Sequence, residues 1–398
     1  MTAALARAGA EPTRWPAVAV VVASGVVAAL QVGKGAIALP ALRAEFGLGL
    51  EAAGWIMSVF ALLGVVGGIP AGAAVSRFGD RRLLALGLAA LALGSLAGSV
   101  AGSFPLLLGT RVLEGLGFLL VVVAAPALLQ RIVAAPDRDL AFGIWSAFMP
   151  AGMAIALLLG AALAGWRPFW AANAVLAAVF ALLVLVAVRA RERAQDNPSW
   201  RETGRDAALT ATSRGPLLLA AAFGLYSLLY FTLASFLPVL LMDRMGVAVA
   251  TAGVLSAVAV GANVLGNLAA GLLLGRGAAR WLLIATAILV MTASGIAIFA
   301  LPLPPMVVLL LCILFSGVGG LLPATVLGAA GPVAPKPGLA PVTLGLVMQG
   351  NNLGQVIGPV VVGGVVDAAG WPAAAVPVAL AGILALAVAA LLRGVFRA

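Results

Sequence analysis

Polar residues along this chain are sparse and bunched, and long apolar runs fill the intervals. Breakers and charges divide the sequence into twelve such runs, at 17–39, 52–75, 83–102, 105–130, 140–163 and 169–188, then 216–242, 250–274, 281–301, 306–328, 342–366 and 372–392. Each approaches or exceeds the ~20 apolar residues that a helix needs to cross a bilayer. The pattern predicts an all-α integral membrane protein with twelve transmembrane helices. They fall into an N-terminal six-helix bundle over 1–188 and a C-terminal six-helix bundle over 216–398, joined by a cytoplasmic linker over 189–215. That linker is the longest polar stretch, and it reads as partly an amphipathic helix lying on the membrane surface.

The two halves read alike. Sliding 46–83 by 199 residues lands it ungapped on 245–282. Gly47 then meets Gly246, Ala53 meets Ala252, Gly54 meets Gly253 and Gly72 meets Gly271, while Arg77 meets Arg276 and Arg81 meets Arg280. A repeat of this size in a polytopic chain is the architecture of secondary transporters, with the substrate site between the halves. Pseudo-symmetric bundles are the expected fold.

Composition narrows the function. The chain is 64% hydrophobic and 9% charged, which excludes a soluble globular protein. Its net charge of +10 does not point to nucleic acid, because the basic residues sit between the apolar runs. With the N-terminus inside, eighteen of the 23 basic residues fall on the cytoplasmic side and three, Arg43, Arg167 and Arg244, fall outside. This bias places both termini in the cytoplasm. A cleaved signal peptide is not expected, since the first apolar run is too long and lacks a small-residue cleavage site. The single cysteine, Cys312, lies within a run, and histidine is absent, so no disulfide, metal site or cofactor is expected. No nucleophile–base set or phosphate loop appears, so the chain does not read as an enzyme. The preference for Arg, Ala, Gly, Val and Leu is that of a GC-rich bacterial gene, hence a bacterial inner membrane.

Two basic residues and one acid interrupt apolar runs: Lys34 in the first, Arg111 and Glu114 in the fourth. Each costs at least ~2.5–3.5 kcal/mol at a helix centre, and such residues face a cavity or a partner. Lys34 lies near the outer end of run one. Arg111 lies about 9 Å from the outer end of run four at 1.5 Å per residue, so the two share a depth. Glu114 follows Arg111 on the same helical face. One reading is structural, with Lys34 snorkelling outward and Arg111 pairing with Glu114. The other is a cavity with surplus positive charge for an anionic or carbonyl-rich solute, in which Glu114 exchanges a proton. Asp243 and Asp367 sit at run ends and read as solvated.

The second half has no charge inside a run, so its polar residues stand out. Tyr226 and Tyr230 are the only tyrosines and share a helical face too deep for an interfacial belt. Asn263 and Asn267 share a face of the eighth run, and Gln349, Asn351, Asn352 and Gln355 cluster in the eleventh. These line a cavity or make interhelical hydrogen bonds, and the pattern leaves both open.

Gly72, Arg77, Gly79 and Arg81 resemble the G-x-x-x-D-R-x-G-R-R loop between spans two and three of the major facilitator superfamily. The chain departs from it at Ser76, where the family has Asp, and at Asp80, where it has a basic residue, so the charge relay of that loop is altered. Arg111, Glu114, Gly115 and Gly117 resemble the family's fourth-span R-x-x-Q-G-x-G, with Glu for Gln. Gln31, Lys34, Pro40 and Arg43, with Trp145, Pro150 and Gly152, are similar to the cyanate/nitroimidazole transporter group. The resemblance implies alternating access, a cavity lined by spans 1, 4, 7 and 10, and a small polar or anionic solute. On it, Lys34 and Arg111 recognise the solute's charge, and Gln31, Tyr226, Tyr230, Asn263 and Asn352 orient it. Glu114 couples protons or balances Arg111, and Gly72, Arg77, Gly79 and Arg81 form a cytoplasmic gate loop. The expected partners are the solute, the bilayer and protons, with the chain monomeric. The rival is a proton-driven multidrug efflux pump of the same fold, which calls for a more aromatic cavity than a chain with 6% aromatic residues offers.

Overall fold

Apolar runs with no water to satisfy their backbones fold as helices. The computed structural model describes residues 12–134, 137–162, 165–188, 200–336 and 339–396. The first six spans are α1 (Trp15–Phe46), α2 (Leu50–Phe78), α3 (Asp80–Ser99), α4 (Phe104–Ile132), the pair α5 (Arg138–Ser146) and α6 (Phe148–Ala162), and α7 (Trp166–Ala187). Helix α8 (Trp200–Thr212) follows. The last six spans are α9 (Arg214–Ala234) with α10 (Leu237–Met245), α11 (Val249–Gly275), α12 (Arg280–Ala300), α13 (Pro305–Gly319) with α14 (Leu321–Ala329), α15 (Ala340–Ala369), and α16 (Ala375–Val395). Among the described residues, eleven helical runs are long and apolar enough to cross a membrane, and the two-piece fifth span completes twelve. Spans 1–6 pack as one bundle and spans 7–12 as another.

Three spans are broken, and each break falls four residues before a proline. Proline has no N–H to give the carbonyl four residues back. Pro150, Pro238 and Pro323 therefore cannot bond Ser146, Ala234 and Gly319, and these are the last residues of α5, α9 and α13. Pro40, in contrast, sits inside α1, and span 1 runs on to Phe46 beyond its expected end.

Part of the stretch between the halves is helical. Helix α8 is amphipathic and packs against spans 7 and 11, whereas 189–199 lie outside the described residues.

Close helix approach comes from small residues, as membrane packing requires. Span 11 shows it best: Gly350, Gly354 and Gly358 lie on Ala220, Gly224 and Leu228 of span 7. A methyl on Gly354 would sit 1.9 Å from the Gly224 carbonyl oxygen, so only glycine fits. The opposite side of span 11 forms the main seam between the halves, against span 2. There Ser58 Oγ donates to the Val356 carbonyl at 2.7 Å, and Gly54 meets the Pro359 carbonyl. Spans 5 and 8 make the second seam. The molecule thus has a linker face, bearing α8, and a far face at the opposite ends of the helices.

Asp367 and Asp243 are exposed, as the sequence led us to expect, and each also accepts a hydrogen bond. The Glu51 N–H, in the first turn of α2, donates to Asp367 Oδ2 at 2.7 Å across the seam. Trp371 Nε1 donates to Asp243 Oδ2 at 3.1 Å. At Asp367 the acceptor meets one of the unpaired N–H groups of a helix start.

Candidate functional site

The three charges inside the membrane converge within the first bundle. Lys34 and Gln31 come from α1, Ser95 from α3, and Arg111 and Glu114 from α4. Lys34, Arg111 and Glu114 are all 0% exposed. Lys34 Nζ lies 2.7 Å from Glu114 Oε1 and donates to Ser95 Oγ at 2.6 Å. Ser95 Oγ in turn lies 2.9 Å from both Glu114 Oε1 and Gln31 Oε1. Arg111 Nη1 pairs with Glu114 Oε2 and donates to the Gln31 carbonyl at 2.8 Å. Arg111 Nε donates to the Ile56 carbonyl at 3.1 Å. Glu114 therefore bridges two cations, one on each oxygen.

Aromatic rings complete the shell. Lys34 Nζ lies 4.5 Å from the centroid of the Trp170 ring, and the Arg111 guanidinium 4.5 Å from that of Phe60. Such contacts are strong where water is excluded. Arg111 Nη2 and Gln31 Nε2 are buried and carry no protein hydrogen-bond partner. The cluster holds two cations and one anion, so its sum is +1, and it offers two open donors. Its named partners all belong to the first bundle. It is joined to the seam through span 2, which gives Ile56 and Phe60 to Arg111 and Ser58 to span 11.

A second polar cluster lies within the other bundle. Phe223, Tyr226 and Tyr230 stack along α9, with successive ring centroids 5.8 Å apart. Asn263 Nδ2 donates to Tyr226 Oη at 3.2 Å and to the Ser316 carbonyl at 2.9 Å. Asn267 Nδ2 donates to Asn263 Oδ1 at 2.9 Å. A small crevice beside Tyr230 is lined by Leu233, Ala259, Cys312, Phe315 and Ser316.

The structure thus brings Lys34, Arg111, Glu114 and Gln31 together in one place, and Tyr226, Tyr230 and Asn263 in another. Asn352 joins neither group. Its side chain lies on Gly64 of span 2, in the seam, where its Nδ2 donates to the Met348 carbonyl at 2.9 Å.

At the linker face, Gly79 takes φ +87°, a conformation that glycine alone adopts without strain, and it turns the chain between spans 2 and 3. Arg81 Nη2 donates to the Leu185 carbonyl at the end of span 6. Asp80, at the position where the family loop is basic, pairs with Arg131 of span 4 at 3.1 Å. The side chain of Arg77, and the surroundings of Gly72, lie outside the described residues.

Several contributors were missing from the sequence reading. Ser95, Trp170 and Phe60 belong to the ionic cluster but carry no signal that sets them apart from other span residues. At the far face each half has an acid–tryptophan clasp. Trp166 Nε1 donates to Glu45 Oε2 at 2.8 Å, as Trp371 does to Asp243. Arg167 adds an ion pair to Glu45 at 2.7 Å. The clasp residues are 198 and 205 apart in sequence, so a 199-residue slide passes over them.

A duplicated bundle of twelve helices with charges sealed inside one half is a membrane transporter architecture, and the comparisons agree. The Major Facilitator Superfamily model matches residues 21–340, and the chain belongs to that family of transporters. It is 30% identical over 228 residues to a puromycin resistance protein of Streptomyces alboniger, a match covering 56% of this chain and 42% of that one. It is also 30% identical over 233 residues to the 3-(3-hydroxy-phenyl)propionate transporter of Escherichia coli, covering 57% of each. A multidrug efflux pump of Mycolicibacterium smegmatis is 32% identical over 154 residues, covering 38% of this chain and 31% of the pump. The chain spans less than two thirds of the length of these relatives. In fold it is similar to a bacterial homologue of the human lysosomal transporter Spinster in an inward-facing, occupied conformation. The TM-score is 0.73 at 18% identity, covering 98% of this chain and 96% of that one.

Proposed function

We propose that the protein is a secondary transporter that carries a small polar, anionic solute across a bacterial inner membrane by alternating access, coupled to protons. The surplus positive charge of the Lys34–Glu114–Arg111 cluster carries this reading. A charge sum of +1 in a dry interior attracts an anion, and Arg111 Nη2 and Gln31 Nε2 are donors still open to one. Tyr226, Tyr230 and Asn263 face the solute from the second half, and Asn352 reports its arrival to the seam. Glu114 holds both cations, and the coupling proton is exchanged within this cluster. The arginine bias makes the linker face cytoplasmic, with both termini there, and makes Gly72, Arg77, Gly79 and Arg81 the inner gate loop. The far face is then the outer one, held shut by the span 2–span 11 seam. The protein works as a monomer, since each chain contains both halves.

Relatives named for resistance and efflux favour a second reading, a drug exporter. A thermal-shift screen of the purified protein separates the two. Small carboxylates and inorganic anions should raise the melting temperature, and Lys34→Met should abolish that response. Stabilisation by lipophilic cations alone, unchanged in Lys34→Met, would overturn the anion reading and support efflux.

A further inference from the structure

We infer that Lys34, rather than Glu114, is the group that takes up and releases the coupling proton. This deepens the proton-coupled reading above and rests on it.

Consider the charge states open to the cluster. With Lys34, Glu114 and Arg111 all ionised, the sum is +1. Protonating Glu114 makes it +2, with two cations facing each other across a neutral carboxyl group. Deprotonating Lys34 makes it 0, leaving the Arg111–Glu114 pair intact. A guanidinium does not give up its proton in a protein. In a site that water does not reach, excess charge is the most costly feature. The low-cost exchange is therefore between +1 and 0, through the lysine. Exchange between +1 and +2, through the glutamate, is the expensive one.

The geometry around Lys34 allows both states. The charged groups facing it are Glu114 and Arg111, both from span 4. Span 3 presents Ser95, span 6 the Trp170 ring and span 1 Gln31, all uncharged. Span 5 brings Met153 and Ala156 against neighbouring Gly33. As an ammonium, Lys34 donates to Ser95 Oγ and Glu114 Oε1. As an amine, it offers a lone pair. The Ser95 hydroxyl, which both donates and accepts, can then turn and donate to it. The proton leaves from Nζ to water admitted when the halves part, and it returns by the same route. An arriving anion supplies the compensating charge, so solute and proton are held together: binding either one favours the other.

Trp170 provides a readout that needs no solute. Its contact with Lys34 is a cation–π interaction only while the lysine is charged. The emission of Trp170, taken as the difference between wild type and Trp170→Phe, should titrate with pH in one transition. Lys34→Arg, which keeps the charge permanently, and Lys34→Met, which never carries it, should both abolish the transition. Size-exclusion profiles and melting curves establish that each variant is folded. In Glu114→Gln the transition should persist with its midpoint moved to lower pH, because the anion that stabilises the ammonium is gone. A transition that survives in both Lys34 variants and vanishes in Glu114→Gln would overturn the inference. Uptake driven by an imposed pH gradient in liposomes is the separate arm. If Lys34 titrates but no gradient-driven uptake occurs with any anion that raises the melting temperature, the proton-coupled reading falls while the assignment of the proton to Lys34 stands.

Discussion

At the scale of the residue, three charges share one dry pocket, and each depends on the others. Burying an ion costs several kcal/mol, which is recovered only by close partners. Glu114 supplies them for both Lys34 and Arg111, one oxygen to each. Removing it strands two cations at 0% exposure. Glu114→Gln should therefore destabilise the protein by about 3–5 kcal/mol. Arg82→Ala, at an exposed position, should change stability by less than ~0.5 kcal/mol. Thermal melts in one detergent check the contrast. Equal melting temperatures would show that the cluster contributes nothing to the fold. The pairing of Arg111 with Glu114 was legible from their three-residue spacing, and Lys34 from its matching depth. Ser95 and Trp170 were not, because a serine and a tryptophan inside apolar spans resemble many others until a lysine is seen between them.

Among helices, two rules of backbone chemistry shaped the result, one reducing length and the other distance. Prolines at 150, 238 and 323 divide spans 5, 7 and 10, each at the residue whose carbonyl loses its donor. The hydropathy pattern drew each of these spans unbroken. Proline alone does not decide, since Pro40 and Pro359 lie within continuous helices. Glycine sets the distances. Gly354→Ala places a methyl against backbone, not against a movable side chain, so spans 7 and 11 must separate. Reduced yield of monodisperse protein on fluorescence-detected size exclusion is the expected outcome. Gly271→Ala meets nothing within 4 Å and should be neutral or stabilising, because alanine is the better helix former. If both variants behave alike, close packing at Gly354 is not the constraint.

For the whole molecule, the seam matters most. Span 2 touches the ionic cluster with one side and span 11 with the other, so charge inside the first bundle and the position of the second half share a helix. At its far end the Asp367 carboxylate receives the Glu51 N–H at 2.7 Å. A carboxylate at a helix N-terminus also gains from the helix dipole. On the alternating-access proposal, opening the far face breaks this contact. Asp367→Ala should therefore increase the population with an open far face. Spin labels at Ala44→Cys and Ala248→Cys, one exposed site on each half, in a Cys312→Ser background, should show a new longer distance by double electron–electron resonance. Unchanged distances would mean that the far face is held by packing alone.

What the order of residues determined by itself was the solvent and the plan. Apolar runs of sufficient length cannot leave their backbones unpaired in lipid, so twelve helices follow from hydropathy, and two like bundles follow from the repeat. Those consequences are local or additive, and they read off a string. Tertiary structure alone decided which face of each helix met which neighbour. It placed the charges inside one bundle instead of between the two, set the tyrosines apart from them, and sent Asn352 into the seam. Each of these depends on how rods rotate and tilt when small residues bring them into contact. That choice is made by all twelve spans at once, and no single segment carries it.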